Sequence, residues 1–401
     1  MALRIALAVA ALALAGCFPS TFIDDVAFLN RHTEVIVLSS ERTSECRIAV
    51  CPELQGRVMT STATGAGGLS FGWINRELIA SGEKRPHINA YGGEDRFWLG
   101  PEGGQFSIFF AKGEPQDLAH WQTPAEVDSE PFDIARKSTD ALLLRKKMRL
   151  ANASGTLFEF EVQREIRALG DPDPGRLLGI HPPWNVQWVG YQTRNKITNT
   201  STREWKKESG LLSAWILGMF TPSPRTTVVI PFKQGPDETL GPVVNDAYFG
   251  KVPGDRLKVE PGAVYFKGDG LRRSKIGIPP RRSLGLLGSY DADNGTLTIV
   301  QFHQPKDAVD YVNSMWEIQK EPFAGDAANS YNDGPASPGA APLGPFYELE
   351  SSSPALPLKP GASYTHAHAT FHFQGSTEEL DAIAKHVLGV GIAKIAAAFS
   401  R

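Results

Sequence analysis

Apolar and polar residues alternate one for one over long stretches of this chain, the period expected of strands that bury one face. Phe158, Phe160 and Val162 alternate with Glu159, Glu161 and Gln163, and the N-A-S-G sequence at 152–155 joins them to Leu142–Leu150 as a hairpin. A second hairpin runs from Leu284–Tyr290 to Thr296–His303 through Asp293, Asn294 and Gly295. Near the end, Ala367, Ala369, Phe371 and Phe373 share one face of a strand, and Tyr364, His366, His368, Thr370 and His372 share the other. Helical spacing is confined to two places. One is 21–31, capped near Ser20 or Thr21; the other follows Ser376 and Glu379, which have capping-box spacing, with Leu380, Ile383, Val387 and Leu388 on one face. With 39 Gly and 29 Pro marking turns, the pattern predicts a mainly β protein. No repeat or linker divides it, so residues 33–375 are expected to form one large antiparallel β-sandwich, with a C-terminal helix, 376–401, packed on it.

The first residues carry an address. Arg4 precedes an apolar run from Ile5 to Ala15, too short to span a bilayer but of signal-peptide length. Leu14-Ala15-Gly16-Cys17 resembles a bacterial lipobox, which predicts a signal over 1–16 and lipid on Cys17; an ordinary cleaved signal is the alternative. Residues 17–32 then form an anchoring linker and short helix. Phe18 stands where an inner-membrane retention Asp would be, so the expected location is the outer membrane of a bacterial envelope, facing the periplasm or the cell surface. A formal charge of −3 gives no basic footprint for nucleic acid, and a monomer is expected. Cys46 and Cys51, in an exported chain, suggest a local disulfide, with two free thiols as the alternative. Two cysteines do not complete a four-ligand zinc site.

Several segments have the composition of a sugar-binding cleft. In 89–106 (NAYGGEDRFWLGPEGGQF), glycines fix a tight path around Glu94, Asp95, Arg96, Trp98 and Glu102. Carboxylates and Arg hydrogen-bond hydroxyls, and an aromatic ring covers an apolar sugar face. Locally paired charges in a structural loop would look the same. Asn332 and Asp333 lie in a turn-like segment just before the Glu348–Glu350 strand, where the two glutamates share a face about 7 Å apart. They suit an acid/base pair, or two hydroxyl acceptors. His366 and His368 are adjacent on their strand, but His372 is about 13 Å beyond His368, so no metal site is expected, and no cofactor. Arg272, Arg273, Lys275, Arg281 and Arg282 form a basic cluster suited to an acidic sugar, to anionic lipid, or to a solvated face. The D-A-D-N-G string at 291–295 lacks the closing Glu of a calcium loop.

The closing strands also resemble those of the galactose mutarotase (aldose epimerase) superfamily. There a Leu-Glu strand bearing the catalytic glutamate precedes L-x-P-G-x-x-Y-x-H; here Leu349-Glu350 precede Leu358, Pro360, Gly361, Tyr364 and His366. Asn89, Gly92 and Gly93 match a second landmark, and Asn195–Asn199 a third. Two departures stand out. Tyr91 replaces a sugar-binding histidine, and Glu208–Trp215 contains no catalytic histidine. The resemblance implies a sandwich whose cleft binds or modifies carbohydrate, epimerase- or lyase-like, with Glu350 as base and His366 beside it. His87, His181 and His303 are candidates for the missing acid. A structural or protein-binding envelope lipoprotein is the alternative function.

Overall fold

A computed structural model describes residues 20–40 and 45–400; the expected signal at 1–16 and Cys17 lie outside the described residues. Two antiparallel sheets face each other. The larger has ten strands, in spatial order 257–260, 263–267, 226–231, 286–291, 296–302, 363–374, 187–199, 157–168, 141–151 and 133–137. The smaller has five, ordered 274–278, 328–332, 347–352, 213–220 and 96–100. Both predicted hairpins are present, within these strands. A three-stranded sheet (36–39, 47–51, 57–62) flanks them.

The core between the sheets comes from the alternating positions. Phe97, Ile216, Ile276 and Leu349 of the smaller sheet are buried with Val162, Ile197, Val228 and Val300 of the larger. The outer face of the larger sheet is covered as well. There Leu297, Ile299, Phe371 and Phe373 pack with Leu380, Ile383, Leu388 and Ile395 of two C-terminal helices, Thr377–Leu388 and Ile392–Ala397. The first of these begins with the expected capping box, Ser376 and Glu379. At the other end, helix Phe22–Leu29 is capped by Thr21.

That covering reverses one expectation. The apolar face of strand Ser363–Gln374 meets the helices, so its imidazole face is turned into the sandwich rather than a cleft. His366 and His368 share the hydroxyl of Ser351, each at 2.8 Å, and His372 lies 3.0 Å from Glu94 Oε2 and 2.9 Å from Thr298 Oγ1. Burial depresses the first two, His366 to about 3 with help from His368, and His368 to about 4.

The expected disulfide is not formed. Cys46 precedes strand Arg47–Cys51, whose extended path carries the two α-carbons roughly 15 Å apart, beyond bridging distance. The Cys46 thiol donates to Trp188 O at 2.9 Å. Cys51 sits in a separate apolar cluster with Phe28, Met59 and Tyr91, and burial there raises its thiol pKa.

Candidate functional site

The outer face of the five-stranded sheet is the floor of a cavity of about 350 Å³. Strand register places Arg96, Leu217, Glu350 and Asn329 in one row across it, and Met219, Glu348, Tyr331 and Lys275 in the next. Two ion pairs cross between the rows. Arg96 Nη2 meets Glu348 Oε1 at 2.6 Å, and Lys275 Nζ meets Glu350 Oε2 at 3.0 Å. Each cation also lies over an indole: Arg96 is 4.2 Å from the Trp98 ring centre and Lys275 is 4.6 Å from that of Trp215.

The walls are aromatic: Trp98 and Trp215 stand on paired strands of the sheet, and Trp121, Phe249 and Trp316 come from loops far apart in sequence. Trp121 and Trp316 face each other 5.6 Å apart, Trp98 packs edge-on to Trp215 at 5.6 Å, and Phe249 closes on Trp316 at 5.8 Å. The cavity is further lined by Arg85, His87, Glu102, Arg273, Asp333 and Leu343. The indole N–H groups of Trp98 and Trp121 have no partner among the described residues. Buried carboxyls dominate the electrostatics. Burial pushes Glu348 up to about 8; Arg96 opposes this and Glu350 adds to it. Burial also raises Glu102, against Lys275, and Asp333, against its hydrogen bonds from Gly344 N and Tyr331 Oη. A carboxyl raised as far as that of Glu348 can either donate or accept a proton near neutral pH.

Of the residues singled out in the sequence, His87, Arg96, Trp98, Glu102, Arg273, Lys275, Asp333 and Glu348 line this cavity. Asn89, Glu94, Asn332, Glu350 and His366 do not. Glu350 is fully buried one step behind the wall, its Oε2 accepting from Lys275 and from Trp215 Nε1 at 2.9 Å. Glu348 therefore presents the carboxylate that the resemblance assigned to Glu350. His366 lies on the far side of the sheet, because its partner Ser351 points opposite to Glu350 along the same strand. Glu94 also faces inward, accepting from Ser61 N and Ser61 Oγ.

Asn89 and Asn332 are positioning residues. Asn89 Nδ2 donates to Asp128 at 2.7 Å and its Oδ1 accepts from Arg85 N, which holds the 85–88 loop against the cavity. Asn332 Oδ1 accepts from Gly270 N and its Nδ2 donates to Arg272 O, fixing the turn that presents Arg273. Gly92 and Gly93 serve the backbone: φ is +95° and +110°, and a Cβ at Gly92 would sit 2.0 Å from Trp73 O. Among His87, His181 and His303, it is His87 that reaches the cavity.

A family model described as "Family of unknown function (DUF6786)" matches residues 20–399. The chain belongs to that family. No curated protein matches it. Among solved structures, it is similar to the Slr1438 protein of Synechocystis sp. PCC 6803, with TM-score 0.50 and 14% identity over 86% of this chain and 96% of that one. It is also similar to a putative aldose 1-epimerase of Escherichia coli K12, with TM-score 0.49 and 13% identity over 86% and 99% of the two chains. A galactose mutarotase-like protein of Lactobacillus casei ATCC 334 gives 0.47 and 12% over 84% and 100%. Two of these neighbours bear the names aldose 1-epimerase and galactose mutarotase-like protein, the superfamily whose closing strands this sequence resembles. At such identities the likeness is one of fold.

Proposed function

We propose that this DUF6786 protein binds carbohydrate in the cavity over the five-stranded sheet, as a monomer lipid-anchored through Cys17 in a bacterial envelope. The observation that carries the reading is the composition of the cavity: indole walls from Trp98, Trp121, Trp215 and Trp316 around a floor of Glu348 and Arg96. Ring faces cover the C–H surface of a sugar, while carboxylate and guanidinium groups meet its hydroxyls. The volume, about 350 Å³, is at the lower end for small-ligand sites and fits a mono- or disaccharide. If the bound sugar is turned over, Glu348, Glu102 and His87 are the proton-transfer groups the cavity offers, and an epimerase- or lyase-like step is the chemistry they suit.

Titrating the full chain with a panel of neutral and acidic mono- and disaccharides, read by tryptophan fluorescence and thermal shift, tests the binding. Glu348→Gln is expected to weaken any hit about 10- to 100-fold, the worth of a charged hydrogen bond. Glu350→Gln should change affinity less, since its carboxylate stands behind Lys275. An unaltered dissociation constant in Glu348→Gln would remove this carboxylate from the site. For the anchor, mass spectrometry of the N-terminal peptide of membrane-extracted protein is expected to show diacylglyceryl Cys17; a bare cysteine there refutes lipidation.

A further inference from the structure

The basic cluster read in the sequence does not stay together. Arg282 is consumed by the carbonyls of Lys233, Gly235 and Gly241 and by Asp237. Arg272 and Arg281 are exposed. Lys275 and Arg273 turn into the cavity, but of the two only Lys275 forms an ion pair, with Glu350 behind the wall. Arg273 is half-buried, flat on the Phe249 ring at 3.7 Å and within 5.8 Å of Trp316, and it forms no ion pair or side-chain hydrogen bond among the described residues. In the floor, Arg96 is buried with Nη2 on Glu348, while its Nε and Nη1 have no partner among the described residues. Arg273, held against an aromatic face, therefore presents unused N–H donors to the cavity, whereas those left over on Arg96 have almost no accessible surface.

We propose that the preferred ligand is an acidic sugar, a hexuronate or a short saccharide ending in one, with its carboxylate on Arg273. This rests on the carbohydrate reading above and narrows it. A guanidinium fork matches a carboxylate in two parallel hydrogen bonds, and stacking has already removed most of the side-chain entropy that binding would cost. A neutral sugar would leave the Arg273 donors unmatched in a half-dry site. The same cavity disfavours a sugar phosphate. Glu102, Asp333 and Glu348 line it, and a dianion meets whichever of them is ionised with twice the charge that a carboxylate brings.

Isothermal titration of the full chain with glucuronate, galacturonate and digalacturonate, beside glucose, galactose and glucose 6-phosphate, tests this. At least one uronate is expected to bind about tenfold or more tighter than its neutral counterpart and tighter than the phosphate. Arg273→Gln should bring the uronate-to-neutral ratio to about one, and Arg273→Lys should recover part of it, which a merely misfolded variant would not do. Neutral sugars binding as well as uronates, or a preference untouched in Arg273→Gln, overturns the acidic ligand and leaves carbohydrate binding standing. Tighter binding of the phosphate overturns the carboxylate. If no sugar in the panel binds, both readings fall.

Discussion

Replacing Arg164 with leucine is expected to destabilise the protein by about 3–5 kcal/mol, a large share of the stability of an ordinary domain. The residue sits in strand Leu157–Ala168 of the larger sheet with no exposed surface. Its Nη2 pairs with Asp95 Oδ1 at 2.5 Å, Nη1 donates to Asn195 Oδ1 at 2.7 Å, and Nε donates to Gly56 O at 3.0 Å. Leucine fills part of the volume but strands Asp95 as a buried carboxylate whose remaining side-chain donor is Thr193. Losing one partner of a buried pair costs far more than the pair contributes, because the other charge stays desolvated. The effect reaches the site through the backbone. Asp95 is clamped to the larger sheet directly before strand Arg96–Gly100, so the clamp sets where Arg96 and Trp98 meet the cavity. Urea unfolding of both proteins gives the difference directly; a loss below about 1 kcal/mol would show that Asp95 finds compensation elsewhere. Asp95→Asn should cost less, since Arg164 keeps its bonds to Asn195, Gly56 O and Asp95 O.

Acidification is the second large effect. His366 and His368 are buried as neutral rings between the sheets, depressed to about 3 and about 4, whereas unfolded histidine titrates near 6.5. Below pH 6.5 the unfolded chain takes up protons that the folded one refuses. Stability contributed by these rings is therefore complete above pH 6.5 and is lost as pH falls towards about 4, at up to about 1.4 kcal/mol per pH unit for each ring. From pH 7 to 5 the pair is expected to withdraw about 3–4 kcal/mol. The groups around them do not rescue the charge. His303 opposes protonation of His366; Asp95 favours that of His368 but is already engaged by Arg164. Glu348, raised to about 8, and Asp326, raised to about 6 by burial, have the opposite sign: their folded forms keep a proton that the unfolded chain releases, so they gain stability on acidification. The histidine contribution is isolated by comparing wild type with His366→Gln/His368→Gln in urea at both pH values. The variant should lose about 3–4 kcal/mol less than wild type over that interval. Parallel losses would mean that the rings are not held neutral.

How much of this was legible beforehand depended on whether the information was local. Strand alternation at 158–163 and the turn residues at 152–155 and 293–295 specify their hairpins, because cross-strand pairing there is a matter of neighbours in sequence. The capping box at Ser376 is local in the same way. Alternation at 363–374 separated two faces correctly but did not say which one met the cavity. Its imidazole face is internal because the C-terminal helices, following later in the chain, bury the apolar face outside the sheet. Glu348 and Glu350 have the same strand phase, so their spacing could not rank them. Pairing of Glu350 with Lys275 and Trp215, from two other strands, made the choice. The aromatic walls gave least warning, since Trp121, Phe249 and Trp316 stand in loops with no shared local pattern.

The sequence by itself determined that this is a β-rich chain with alternating strands, capped terminal helices and a closing mutarotase-like glutamate strand, since each follows from residues close together along the backbone. Tertiary structure alone decided that both faces of the histidine strand are buried, that Glu348 rather than Glu350 faces the cavity, and that Arg273 forms no ion pair among the described residues. Those outcomes depend on contacts between segments tens to hundreds of residues apart, where burial, charge pairing and register are settled together.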